Sequence, residues 1–500
     1  MGAGTTRAGA GIGGGAHGRI RTLVPARLDR LPWSRFHTRV LVALGAAWVL
    51  DGLEITFASN MTTNLTSSAS LHLSQRAAAD IASIYLVGEV VGALVFGRLS
   101  DRLGRRNLFV VTLGLYLVAN GIAAAAFNLW WLDGFRFLAG MGIGGEYAAI
   151  NSAIDELIPS HSRGRADILV NGTYWGGAAI AALVGIWLLN PHVIGVDVGW
   201  RLALLVGPAL GVVVWFVRRT LPESPRWLVT HGRVEEAERN MAAIEATVEA
   251  AVGGDLEPVD RDRAIEIDPG QARLSLWGVA RQLVAKYPRR SLLGAVLMVT
   301  QSFLYNAIFF TYALVLTDFF HVASGDTAYY YLAFAGGNLL GPIVLGPLFD
   351  VLGRRRMIAG TYLLSAVLLT ATALAFDHGL LTATTQTICW VVVFFFASAG
   401  ASSAYLTVSE IFPLELRAQA IAVFFAVAQA FGALGPTVYG AFVASRKPSE
   451  LMAGYLIGAG VMAVGGLVEL ALGVNAERTA LEDVATPLTV VAGRSAVAPG

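Results

Sequence analysis

Read for hydrophobic and polar positions, the chain is a succession of apolar runs, each about twenty residues long, separated mostly by short polar loops. A helical run of that length, rising 1.5 Å per residue, crosses the ~30 Å hydrocarbon core of a bilayer. The pattern predicts helices over about 40–59, 80–96, 107–127, 131–152, 167–189 and 201–217, then 291–317, 328–347, 357–376, 383–408, 418–443 and 451–473. One long polar stretch, 218–290, divides the twelve into two sets of six. Within it, RVEEAERNMAAIEATVEAAV reads as an amphipathic or surface helix.

The loops differ in charge. Arg98, Arg102, Arg105 and Arg106 follow the second run, Arg163 and Arg165 the fourth, Arg354, Arg355 and Arg356 the eighth, and Arg417 the tenth. The alternate loops offer little beyond Arg76, Arg446 and Lys447. Basic loops stay on the cytoplasmic side, so both termini and the 218–290 stretch are expected in the cytoplasm of a multi-pass cell-membrane protein. The division expected is a flexible N-terminal tail over 1–38, a first bundle over 39–217, a helical linker over 218–290, a second bundle over 291–474 and a flexible C-terminal tail over 475–500.

Composition agrees with the membrane reading: 14% of residues are charged and 55% hydrophobic, with mean hydropathy +0.61, where a soluble domain carries about 25% charged residues. The formal net charge of +1 argues against nucleic acid as a partner. Cys389 is the only cysteine, which rules out an intramolecular disulfide and a thiolate metal cluster, and the eight histidines show no paired metal spacing. No cofactor and no metal are expected. The opening MGAGTTRAGAGIGGGAHGRIR lacks the apolar core and cleavage site of a signal peptide.

The two halves repeat each other. GRLSDRLGRR at 97–106 returns as GPLFDVLGRR at 346–355, with Gly97, Asp101 and Gly104 reappearing as Gly346, Asp350 and Gly353, each 249 residues on. ELIPSHSR at 156–163 returns as EIFPLELR at 410–417, matching at Glu, Pro and Arg, each 254 residues on. Two motifs at nearly one displacement point to an internal duplication. The fold class is therefore an all-α membrane protein, twelve transmembrane helices in two pseudo-symmetric six-helix bundles. These elements, with PESPRWL at 222–228, resemble the major facilitator superfamily, nearest its sugar porter and metabolite–proton symporter branches, over about 40–475. The resemblance implies two bundles rocking about a central site. An enzyme is not expected, since no nucleophile–base pair or metal-ligand spacing is present.

Charges in short loops move with the helices they join, so they can latch helix ends together in one conformation only. In the resembled family the acid and arginines of the first repeated element hold the cytoplasmic side closed. Asp101, Arg102, Arg105 and Arg106 match that element, and Glu156 and Arg163 are expected to join the network. Asp350, Arg354, Arg355, Glu410 and Arg417 are the second-half counterparts, where Val351 replaces the arginine at Arg102 and a weaker latch is expected. The competing reading is that these arginines only set topology.

WVLDGLEITF, 48–57, places Asp51 and Glu54 inside the first run. A carboxylate at the bilayer centre costs about 2.5–3.5 kcal/mol on insertion scales. At 1.5 Å per residue, Asp51 stands about 17 Å above the inner boundary and Arg136 of the fourth run at about 22 Å, so the two are expected to pair. Sugar porters coupled to protons resemble this arrangement, with an Asp in the first span and an Arg in the fourth. A rocking motion that makes and breaks the pair would load and release a proton, with Glu54 the competing proton carrier and a static ion pair the structural alternative. Glu89 and Glu146 read equally as functional or structural. The Gly-rich GMGIGG at 140–145 reads as close helix approach, not as a phosphate loop. Asn64-Leu65-Thr66 is a formal glycosylation sequon.

Substrate contacts are expected near the midplane, where the halves meet. In the seventh run, TQSFLYNAIFF matches a sugar-porter element at Gln301 and Asn306 and departs from it at Thr300 and Leu304; Tyr405 stands where sugar porters usually carry Trp; and NAERTALED lacks the closing Pro-Glu-Thr-Lys-Gly element. With Asn171, Trp175 and Asn338, these residues suit a sugar or an aromatic or aliphatic organic acid. The function expected is proton-coupled symport of a small polar organic solute by a monomer in the lipid bilayer. The alternatives are a proton-coupled drug or organic-cation exporter and a nutrient receptor with a transporter fold.

Overall fold

The computed structural model describes residues 20–190, 192–219, 221–267, 276–322 and 326–486. Each expected apolar run is helical. Spans 1 to 4 are Arg35–Asn60, Gln75–Leu103, Arg105–Ala123 and Leu129–Leu157. Span 5 is Arg163–Gly172 continued by Tyr174–Leu188, and span 6 is Val196–Arg218. Spans 7 to 10 are Pro288–Phe320, Thr327–Val351, Arg354–Asp377 and Ala383–Glu410. Span 11 is Leu414–Gly432 continued by Leu434–Ala444, and span 12 is Pro448–Leu472. Ten described stretches are long and apolar enough to cross a bilayer. Spans 4 and 11 are not among them; span 11 is divided into two shorter helices, and its piece Leu416–Gly432 is apolar but short. Side-chain caps start several spans: Asn128 accepts from the Trp131 N–H at 2.8 Å, and Thr382 from Thr385.

The helix pairs obey the duplication. Span 1 packs on span 5 as span 7 packs on span 11; span 2 on span 4 as span 8 on span 10; span 3 on span 6 as span 9 on span 12. Across the halves, span 2 meets span 11 and span 5 meets span 8, again a related pair. The contact of spans 2 and 4 depends on small residues: a Cβ at Gly88, Gly92, Gly140 or Gly144 would run into the backbone carbonyl of Phe137, Met141, Tyr85 or Glu89. Apolar side chains such as Val42, Val118, Val213 and Val367 face outward and are more than half exposed. They form the surface a bilayer covers. Trp130 and Trp187 near one end and Trp277 at the other are also exposed, as interfacial anchors are.

Of the two expected flexible tails, residues 20–38 and 475–486 are described and are packed on the rest of the chain, while 1–19 and 487–500 lie outside the described residues. Ile20–Thr22 pairs antiparallel with Ile265–Ile267 of the linker. The helix Val24–Asp29 that follows buries Val24, Ala26 and Leu28 beside the linker helix Val234–Val252, which hides Ala237, Met241, Ile244 and Val248. Arg27 reaches Glu238 and Glu245 at 2.5 Å each, and Arg30 reaches Glu245 at 2.5 Å. Burial alone would push the Glu245 carboxyl up, but the two guanidiniums outweigh it and hold it below its ordinary value. The amphipathic linker helix needs a cover for its apolar stripe, and the N-terminal segment supplies it. At the other terminus the helix Leu481–Val484 buries both end residues; Arg290 donates to the Val484 carbonyl at 2.9 Å, and Arg226 pairs with Glu482 at 2.6 Å. Both terminal segments thus lie against the arginine-rich loops at one end of the molecule, here called the basic end.

Candidate functional site

Inside the first half, spans 1, 2, 3 and 4 bring three carboxyls and one guanidinium together. Asp51, Glu54, Glu89 and Arg136 are each at most 1% exposed. The expected Asp51–Arg136 pair does not form. Arg136 Nη1 donates instead to Glu54 Oε2 at 2.6 Å and to Asn120 Oδ1 at 3.0 Å, with its guanidinium 4.4 Å over the Tyr85 ring. Tyr116 donates to the other Glu54 oxygen at 2.9 Å. Asp51 accepts from the hydroxyls of Tyr85, at 3.2 Å, and Tyr147. At the same rise Glu54 stands at about 21 Å, close to the height of Arg136, and the rotation of spans 1 and 4 turns it, not Asp51, toward the guanidinium. Asn120 and the three tyrosines carried no signal in the sequence, because a lone Tyr or Asn in an apolar run reads as packing.

Glu89 interacts electrostatically with Asp51, and neither of its oxygens has a hydrogen-bond partner among the described residues. It lines a cavity of about 140 Å³ between the two halves. Asn171, Trp175, Gln301, Asn306 and Tyr405 line the same cavity, joined by Gln429. Asn338 does not; it accepts from Tyr305 at 2.8 Å and so orients a ring that does. Aromatic contacts close the cavity across the halves. Trp48 meets Tyr405 with ring centroids 5.5 Å apart, Tyr147 meets Phe425 at 4.6 Å, and Trp175 meets Tyr305 at 5.7 Å. Asp51 and Glu54 sit behind this wall, with Tyr147 and Glu89 between Asp51 and the cavity. Glu146 lies apart from the cavity lining and pairs with Arg218 at 2.6 Å. Asn64 of the sequon is 4% exposed and donates to the Leu189 carbonyl, which leaves its amide unavailable to a glycosylating enzyme.

At the basic end, polar bonds tie the halves together. Asp350 accepts from the backbone N–H groups of Gly164, at 3.2 Å, and Arg165, at 2.8 Å, where the first turn of span 5 offers unpaired donors. Arg163 lies 3.5 Å from Glu410, and Arg417 lies 3.6 Å from Asp155, a residue not singled out from the sequence. Arg354 binds Asp350 at 2.7 Å and Glu410 at 3.0 Å. In the second copy, where Val351 replaces the arginine, Asp350, Arg354 and Glu410 are thus bonded to one another. In the first copy Arg105 binds Glu156 at 2.9 Å, while the side chains of Asp101 and Arg102 lie outside the described residues. Arg106 and Arg355 bond carbonyls of their own halves, those of Arg219 and Leu470.

A third repeated element went unread. Glu223 accepts from the N–H groups of Arg105, at 2.9 Å, and Arg106, at 3.2 Å; Glu477, 254 residues on, accepts from Arg354 N at 3.4 Å. Gly104 and Gly353 hold φ of 86° and 99° beneath these carboxylates, where an added Cβ would strike Glu223 or Glu477. NAERTALED thus keeps the glutamate of the closing element that its letters otherwise lack, and the shared displacement was the signal for it.

Comparisons with known proteins place this architecture. Residues 41–483 match the family described as "Sugar (and other) transporter". The Niacin transporter NiaP of Acinetobacter baylyi is 34% identical over 44% of this chain and 48% of its own length, so that match spans about half of the relative. The putative metabolite transport protein YaaU of Escherichia coli is 26% identical over 89% of this chain and 94% of its own. Among solved structures, the proton:xylose symporter XylE bound to 6-bromo-6-deoxy-D-glucose superposes with a TM-score of 0.73 at 18% identity, covering 90% of this chain and 98% of that one. Its duplicated helical fold accompanies a family match that runs over residues 41–483, and this chain belongs to the family described as sugar (and other) transporter.

Proposed function

We propose that the chain moves a small polar organic solute together with a proton by alternating access, with the basic end facing the cytoplasm of a cell membrane. The observation that carries this reading is the shared wall between cavity and acid cluster: Glu89 lines the cavity and interacts electrostatically with Asp51 behind it. Two interacting carboxyls favour one shared proton, because two bare charges there would repel. A solute arriving in the cavity changes the surroundings of Glu89 and therefore of that proton. Arg136, already neutralised by Glu54, stands within the same cluster as a charge that a tilt of span 4 moves relative to Asp51. The basic-end bonds hold the opposite gate shut while the site is loaded. A relative named for niacin transport and a neighbour named as a proton:xylose symporter favour a solute of that size.

One charge moving through 100 mV contributes about 2.3 kcal/mol and each factor of ten costs about 1.4 kcal/mol, so one-to-one symport supports roughly fifty-fold accumulation. Purified protein in proteoliposomes tests the reading. A solute that thermally stabilises the protein should accumulate when the outside is made acidic, and its uptake should alkalinise the outside. Uptake indifferent to the pH gradient rejects proton coupling. Acidification outside on uptake would favour the exporter alternative, in which solute and proton exchange.

A further inference from the structure

The cavity is charged on one side only. Among the described residues, Glu89 is its sole carboxyl, and no lysine, arginine or histidine lines it. Arg136 does not compensate, being fully buried against Glu54, Asn120 and the Tyr85 ring. The rest of the wall is largely aromatic: Trp48, Tyr147, Trp175, Tyr305 and Tyr405 come from both halves. Aromatic faces carry partial negative charge and attract cations within about 6 Å of the ring centroid, more strongly where water is excluded. A carboxylate solute entering this space would meet Glu89 and ring faces with no counter-ion. An ammonium or a protonated nitrogen heterocycle would meet both a counter-ion and a cage.

We propose that the cavity selects organic cations, binding a protonated nitrogen between the Glu89 carboxyl and the surrounding aromatic faces. The second observation is Glu89 itself, fully buried, with neither oxygen hydrogen-bonded among the described residues and with its place in the cavity wall. An Asp51–Glu89 pair holding one proton carries a single negative charge, and one bound cation makes the loaded site neutral. A neutral site is the form that a rocking bundle carries through a low-dielectric interior at least cost. This proposal rests on the transport reading only for the site's purpose, since binding needs no gradient. It makes an organic acid, expected from the sequence as one substrate class, the disfavoured one.

The test uses three probes of one shape, benzylammonium, benzyl alcohol and benzoate, titrated against the full chain in lipid nanodiscs. Tryptophan fluorescence reports occupancy through Trp48 and Trp175. Benzylammonium should bind at least about tenfold tighter than benzyl alcohol, a difference of about 1.4 kcal/mol, and benzoate weakest. In Glu89→Gln the ammonium-to-alcohol ratio should fall to about one, with thermal unfolding showing that the variant is folded; Glu89→Asp should restore part of the ratio. Benzoate binding as tightly as benzylammonium, a ratio that survives in Glu89→Gln, or no saturable ammonium binding at millimolar concentration overturns the proposal. Failure of gradient-driven uptake with this affinity order intact would overturn the transport reading alone.

Discussion

Asp51 and Glu54 are three residues apart on span 1 and hold different partners, two tyrosine hydroxyls for the first and a guanidinium for the second. That difference separates their expected behaviour. Asp51→Asn keeps the shape and removes a proton site, so uphill accumulation in proteoliposomes should be lost while downhill exchange persists; unchanged accumulation would remove Asp51 from the coupling. Arg136→Met strands Glu54 as an uncompensated buried charge, and breaking such a pair costs about 3–5 kcal/mol. Thermal unfolding should therefore drop sharply in Arg136→Met and recover in the double variant Glu54→Gln/Arg136→Met, where neither position leaves a charge without its partner. No recovery would mean that the pair's value lies in packing.

At the scale of elements, the latch is a matter of where helices begin. Asp350 at the end of span 8 reaches the unpaired N–H groups that open span 5, a bond between halves that any opening of the basic end must break. Cys389 is the only cysteine, so in a Cys389→Ser background a Ser402→Cys reporter placed in the cavity wall is the sole thiol. Asp350→Ala should speed its labelling by a reagent supplied from the basic end, and an unchanged rate would reject the latch. Gly353 turns span 8 into span 9 at φ 99°. Gly353→Ala should cost at least about 1–2 kcal/mol from backbone strain alone, read as a lower unfolding temperature, with added loss from crowding Glu477.

The whole molecule is closed at the basic end by more than its loops. The N-terminal helix, the linker helix and the C-terminal segment meet there, with Asp29 3.6 Å from Arg163 and 3.1 Å from Arg226. Glu245 gives this clasp a pH dependence with a definite sign. Its folded-state value is depressed, so its contribution is fully present above the unfolded value of about 4.5 and is lost as pH falls through the lower folded value. Hydrogen exchange over residues 20–31 should stay slow at neutral pH and accelerate only in that acid window, and Glu245→Gln should exchange faster at neutral pH. Exchange that quickens as pH rises, after correction for intrinsic rates, would contradict the assignment.

Legibility followed the range of the interactions. The twelve spans, their break at 218–290 and the duplication could be read from the sequence because bilayer thickness acts on each run separately and a repeat is a property of the letters. Gln301, Asn306, Trp175 and Tyr405 were found because polar and aromatic groups at mid-span stand out against an apolar background. The choice of Glu54 over Asp51 was not read, because it depends on how spans 1 and 4 are rotated about their axes. The docked terminal segments were missed for a related reason: Val24, Leu28 and Leu31 make a short apolar pattern whose partner lies over two hundred residues away.

By itself, then, the sequence determined that this chain is a duplicated twelve-span membrane protein with acids inside its first span, since hydropathy and internal repetition are local or self-referential. Which carboxyl meets the arginine, which one faces the cavity, and which charges bridge the two halves were decided only by tertiary structure. Those outcomes turn on angstrom-scale approach between helices remote in sequence, set by glycines that let spans 2 and 4 touch.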